Sequence, residues 1–120
     1  MILLTSVNDQ LQLVSDSAAA VDVHATWVDT VTSSGAITPG RTNTHIAAAA
    51  TTSVTGSPAA STQRNMKTLH VRNKDAALSV NLDVKHTDGT TVAQLYHASL
   101  KPGDAMEYTD QGGFILKPAA

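Results

Sequence analysis

The sequence predicts an all-β fold, an antiparallel β-sandwich or jelly roll, and three features carry that reading. Two segments alternate apolar and polar residues with the period of a β-strand. Through the second half, turn residues recur about every ten positions. Nothing longer than a single turn reads as helix.

The two alternating segments are Val21-Asp-Val-His-Ala-Thr-Trp27 and Leu78-Ser-Val-Asn-Leu-Asp-Val84. In the first, Val21, Val23, Ala25 and Trp27 share one face, and Asp22, His24 and Thr26 the other. In the second, Ser79, Asn81 and Asp83 form the wet face. One wet and one buried face is the signature of antiparallel sheet, because parallel strands covered by helices are apolar on both faces. Trp27 is thereby expected in the core.

The remaining elements follow in chain order. Leu11 to Val14 is a short strand and a candidate partner for Val21 to Val28. Thr30 to Thr44, rich in Thr, Ser and Gly with a Pro39-Gly40 turn, reads as a long loop. The run Ile46 to Ala50 has alanine's helix propensity, but it lacks an amphipathic face and is flanked by Thr51, Thr52 and Val54, so it reads as extended. Ser57 to Ser61 is a loop. Lys67 to Asn73 is a strand centred on Leu69 and Val71, and Asn73-Lys-Asp-Ala76 turns it toward Leu78. Asp88-Gly89 supplies the positive φ of a tight hairpin turn, and Thr91 to Leu100 is the next strand. Lys101-Pro-Gly-Asp104 is a turn with Pro and Gly suitably placed. Met106 to Thr109 and Phe114 to Leu116 close the fold around Gln111-Gly-Gly113.

The chain of 120 residues fits one domain, residues 1–120. Aromatic residues make up only 3%, so the core rests on Val, Leu, Ile and Ala, and a thin core of that kind favours oligomerisation. Eight basic against ten acidic residues give a net charge of -2, which offers no electrostatic support for nucleic-acid binding. There is no cysteine, so no disulfide framework is expected. Met1-Ile-Leu-Leu4 is too short for a signal-peptide apolar region and lacks a basic flank. No apolar run approaches the ~20 residues of a membrane span. A soluble chain with no membrane partner is expected.

Chemistry-bearing motifs are absent from the sequence. The histidines are His24, His45, His70, His86 and His97. None shows the short spacing of a zinc site, nor the His-x-His of the jelly-roll metalloenzymes, so no metal is expected. The pattern Gly-x-Ser-x-Gly of a nucleophile elbow is missing. The carboxylates sit mainly at turns and on wet faces, without the aromatic platforms of a glycosidase cleft. No Gly-rich phosphate loop exists, so no nucleotide cofactor is expected, and no catalytic residue is assigned. Arg64, Lys67, Arg72 and Lys74 form a modest basic strip around one strand. Such a strip either guards a strand edge against aggregation or makes an ionic seam to an acidic partner protein.

One set of passages carries a resemblance. It runs from Ser57-Pro-Ala-Ala-Ser-Thr-Gln-Arg64 through Asn65 to Asp75, then His86-Thr-Asp-Gly-Thr90, Leu95-Tyr96, Leu100-Lys-Pro-Gly-Asp104 and Glu107-Tyr108. Leu3-Leu-Thr-Ser6, Val21 to Asp29 and Gly40-Arg-Thr-Asn43 extend it over nearly the whole chain. Together these passages resemble a group of small virion structural proteins of tailed bacteriophages. The resemblance implies a β-sandwich or jelly-roll unit made in the bacterial host cytoplasm and built into the virion. Two placements follow from it. One is a capsid decoration (cement) protein that stabilises the head by binding across major capsid subunits. The other is a tail or head–tail connector component, or a receptor-binding module of a tail fibre. Its partners would be the major capsid protein or other virion proteins, together with further copies of itself as a dimer or trimer. Arg64, Lys67, Arg72 and Lys74 are the candidate partner-binding residues.

Overall fold

The computed structural model describes residues 1–119 and is built of antiparallel strands alone. In chain order these are β1 (Ile2–Leu4), β2 (Gln10–Ser15), β3 (Val21–Val31), β4 (Ile37–Ile46), β5 (Thr51–Thr55), β6 (Thr62–Asn73), β7 (Val80–Thr87), β8 (Val92–Leu100), β9 (Ala105–Thr109) and β10 (Gly113–Lys117). Sheet A runs β10-β9-β6-β3-β4, with β1 continuing the line of β9 along β6, and sheet B runs β5-β2-β7-β8. The two sheets pack face to face as a β-sandwich. The ladders β3–β4 and β2–β5 form one folded double ribbon, and β6–β9 and β7–β8 form a second. They lie side by side through β3–β6 and β2–β7, which gives the strand neighbours of a jelly roll.

The alternation read from the sequence sets which residues face inward. Leu11 and Leu13 of β2, Val21, Val23 and Ala25 of β3, Leu69 and Val71 of β6, and Val80, Leu82 and Val84 of β7 are all buried. Tyr108 is the sole aromatic among the buried residues, so the core is aliphatic and thin. Aromatic rings close one side of the sandwich instead. Tyr96 of β8 stacks on Phe114 of β10 with ring centroids 4.7 Å apart, and Phe114 tilts against Tyr108 at 5.0 Å. At the opposite side, Ser15 of β2 donates its hydroxyl to the Ala48 carbonyl at 2.6 Å. That bond fastens the corner at which the chain passes from β4 to β5.

Sequence and structure differ at three places. Residues 37–46 are not loop but the strand β4, paired with β3 from Thr30↔Ile37 to Val21↔Ile46. Only residues 32–36 turn, with Gly35 at φ +72°. β4 is an edge strand largely open to solvent, so its composition carries no apolar alternation, and Pro39 is tolerated because an edge position leaves one side without ladder bonds. Secondly, β2 pairs with β5 and β7, across from the sheet that holds β3. Thirdly, the strand expected from Lys67 begins at Thr62, with a bulge. Thr26 faces Thr68 and Trp27 faces Met66, which leaves Lys67 as the extra residue of β6. The bulge shifts side-chain parity by one, so Met66 joins Leu69 and Val71 in the core.

Candidate docking face

The outer face of sheet A collects most of the basic side chains. Residue pairing across the strands builds it row by row. One row holds His45, Asp22, Arg72, Ala105 and Lys117. The next holds Asn43, His24, His70, Glu107 and Ile115, and a third holds Arg41, Thr26, Thr68 and Thr109. Lys74, directly after β6, reaches back to Asp22 at 2.9 Å, and bulged Lys67 pairs with Asp110 at 3.1 Å. Arg41, Lys67, Arg72, Lys74 and Lys117 are five of the chain's eight formal cations. Among the described residues, the only side-chain carboxylates interleaved with them are Asp22, Glu107 and Asp110. Three acids against five bases leave this face with a surplus of two positive charges in a chain of net charge -2.

The ion pairs occupy some of these cations and leave others open. Asp22 accepts from both Lys74 and His45, the latter at 2.8 Å. Those two partners hold the Asp22 carboxyl below the usual carboxylate range. Glu107 takes Lys117 at 3.0 Å and His70 at 3.5 Å. Among the described residues, the side chains of Arg41 and Arg72 have no ion-pair or hydrogen-bond partner, and both are exposed. Shallow depressions run over this face, one above His24, Asn43, His45 and Arg72, the other above Trp27, Pro39, Gly40 and Arg41.

Of the four strip residues, Arg64 stands apart. Its guanidinium grips Asp29 through two bonds, Nε to Oδ1 at 2.8 Å and Nη2 to Oδ2 at 3.0 Å. A third bond goes to the Gly56 carbonyl at 2.8 Å. It also lies 4.4 Å above the Trp27 ring, and its side chain is only 12% exposed. Planar, multiply bonded and stacked, Arg64 is part of the scaffold. Lys67, Arg72 and Lys74 do share the outer face. Arg41 and Lys117 join them from strands far away in sequence, and only the pairing of β4 and β10 into sheet A reveals them.

The five histidines separate into three settings. His24, His45 and His70 lie on the sheet A face. His24 and His70 are direct cross-strand neighbours, yet His24 turns to Asn43 Oδ1 at 2.5 Å and His70 turns to Glu107. His86 bonds the Leu3 carbonyl at 3.1 Å. His97 pairs with Asp83 on the outer face of sheet B. Beside that pair, the Ser99 hydroxyl bonds Asn81 Oδ1 at 2.5 Å rather than the imidazole. Among the described residues no three His, Asp or Glu side chains converge for a metal ion.

No family model, curated protein or solved structure matches the chain. The functional reading therefore rests on the face itself and on the resemblance stated above.

Proposed function

We propose that the protein is a non-enzymatic structural component of a bacteriophage particle, a capsid decoration protein that docks through the outer face of sheet A. The observation that carries the docking mode is the segregation of charge. Five cations sit on one face of a rigid sandwich, two of them without partners, while Asp16 and Asp83 lie on the other sheet's outer face with Lys85. A flat polar face of this kind suits contact with an acidic protein surface, where complementary charge sets orientation and association rate. Repeated copies on a lattice of capsid subunits then hold by multivalency rather than by a deep pocket. The basic strip takes a revised form here, comprising Arg41, Lys67, Arg72, Lys74 and Lys117, with Arg64 assigned to folding.

The test uses particles stripped of the protein and re-incubated with purified chain. Wild type is expected to rebind at a copy number near that of the capsid subunits, and to be released as salt rises, because exposed charge pairs are screened. The double reversal Arg41→Glu with Arg72→Glu should keep the wild-type circular-dichroism spectrum and lose rebinding. Saturation at a handful of copies would assign the protein to the tail or connector instead. Undiminished rebinding of the folded double variant would exclude this face.

A further inference from the structure

The free edge of sheet B poses a separate question. A strand at a sheet edge offers unpaired N–H and C=O groups, and natural proteins guard such edges with charge, proline or brevity. The four edges of this sandwich differ in how they are guarded. β4 carries Pro39 and Arg41, and β10 is five residues long and ends at Lys117 and Pro118. β5 is also only five residues. β8 runs for nine residues, Val92-Ala-Gln-Leu-Tyr-His-Ala-Ser-Leu100, with no proline and no formally charged side chain. It pairs on one side only, with β7.

Apolar side chains gather at that edge. Val92 is 53% exposed and Leu95 37% exposed. Leu95 is the bulged residue, since Val84 faces Tyr96 and Lys85 faces Gln94. The Tyr96–Phe114 stack brings the end of β10 alongside, where Leu116, on the same face of β10 as Phe114, is 43% exposed. The side of the sandwich formed by β8 and β10 is thus an apolar wall bordered by backbone hydrogen-bonding groups.

We propose that a second copy of this chain occupies the wall, with β8 running antiparallel to β8 of the other copy about a two-fold axis. Sheet B then continues as β5-β2-β7-β8 followed by the same strands in reverse order. Three observations single out a second copy as the occupant. Antiparallel self-pairing is closed by a two-fold, so one contact satisfies both edges and no open chain of molecules forms. β8 lacks formal charge, so aligning it with itself opposes no like charges, a conflict that β4 with Arg41 would meet. The bulge at Leu95 interrupts a flat ladder, which disfavours indefinite sheet growth while placing an apolar knob near the strand centre in both copies.

Area sets the expected strength. Nine residues at about 3.4 Å each make an edge roughly 30 Å long, and the molecule's least extent is 19 Å. The wall therefore offers at most roughly 570 Å² per copy, or roughly 1,100 Å² in total, at the lower limit for specific interfaces. An interface of that size fits a reversible dimer, populated where copies are concentrated. The inference does not depend on the docking reading, since β8 and the sheet A face are different surfaces.

Sedimentation across a concentration series tests it, with two kinds of variant. Val92→Lys with Leu95→Lys alters exposed side chains only, so it should keep the fold and shift the dimer dissociation constant upward by at least tenfold. The chain has no cysteine, so a single cysteine introduced at Ala93, Gln94, His97 or Ser99 crosslinks only to another copy. Under mild oxidation, disulfide dimers should peak at one β8 position and fall off on both sides of it, while Thr51→Cys on the opposite edge should give none. A chain that stays monomeric to near-millimolar concentration would overturn the proposal. So would a dimer that persists undiminished in the double-lysine variant, or crosslinking that is equal at all positions.

Discussion

At the residue scale, two contacts carry more structural weight than their residue types suggest. Asn73 is fully buried. Its amide donates to the Leu78 carbonyl at 2.9 Å and the Leu100 carbonyl at 3.0 Å, and its Oδ1 accepts from the Asp75 N–H. One side chain thus ties the ends of three strands. Truncation to Ala strands two carbonyls and one N–H, and buried unsatisfied groups cost about 1–3 kcal/mol each. Asn73→Ala is expected to lose at least about 2 kcal/mol in urea unfolding, with the slope of the transition unchanged. The second contact is between Gly40 and Trp27. A Cβ on Gly40 would stand 2.4–2.8 Å from the indole, which is itself held by the Arg64 guanidinium. Gly40→Ala is expected to cost about 1–3 kcal/mol, as overpacking does, and to blue- or red-shift the fluorescence of the single tryptophan. An unshifted spectrum with wild-type stability would show that the indole is free to move aside.

The same two residues mark how far the sequence was legible. Parity places Trp27 on the apolar face of its strand, but the Thr26/Trp27 bulge lies where β3 outruns the core. The ring is half-buried under Arg64 rather than enclosed by aliphatic side chains. Arg64 reads in sequence as one more surface cation, because nothing local to it signals that Asp29, 35 residues earlier, arrives opposite. Asn73 reads as an ordinary turn residue. Its partners Leu78 and Leu100 supply backbone carbonyls, which leave no trace in side-chain pattern.

At the element scale, the β-turns are held by carboxylates. Backbone N–H groups of Ala77, Leu78 and Ala20 bond Asp75, those of Thr91 and Thr90 bond Asp88, and those of Ala119 and Lys101 bond Asp104. Each set holds its Asp below the usual 3.8. A depressed folded-state pKa contributes stability that is present above the unfolded value and lost as pH falls through the folded one. Stability is therefore expected to change little from neutral pH down to about 5, then to fall below about 4. Asp88→Ala with Asp104→Ala should flatten that acid limb in thermal melts taken across pH. The strands flanking these turns were the readable ones, since β7 and β9 alternate and the turns at Asp88 and Asp104 contain Gly or Pro. β4 was unreadable for a physical reason, as an exposed edge has no buried face to impose a pattern.

At the scale of the whole molecule, the sandwich separates its surfaces by character. One sheet face is basic, one side wall is apolar, and the interior is aliphatic. Neither the face nor the wall is a segment of sequence. The first draws on five strands of sheet A and the second on β8 and β10, so both exist only after the strands are in register. The strip Arg64, Lys67, Arg72 and Lys74 was visible because a single strand carries it, and the fold keeps three of its four members on the face. Salt and concentration should act on the two surfaces independently. Raising ionic strength is expected to weaken particle attachment while leaving the sedimentation dimer unchanged, because its wall is uncharged. A dimer that dissociates with salt over the same range would mean that the charged face, not β8, joins the copies.

The two central ladders, β2–β7 and β3–β6, have a consequence for the birth of the protein. β2 finds its hairpin-side neighbour only at Thr51–Thr55 and its other neighbour only at Val80–Thr87. During synthesis, that strand therefore waits with both edges bare until Thr55 has emerged, and with one edge bare until Thr87 has. Pairing over such separations pays its loop entropy before it gains contacts, which places refolding in the millisecond-to-second range typical of sandwiches rather than with helical bundles. A nascent chain in that state is exposed to its neighbours on the same polysome. Gln10, Gln12 and Ser15 interrupt the apolar residues of β2, which limits the apolar surface that the waiting strand presents to them.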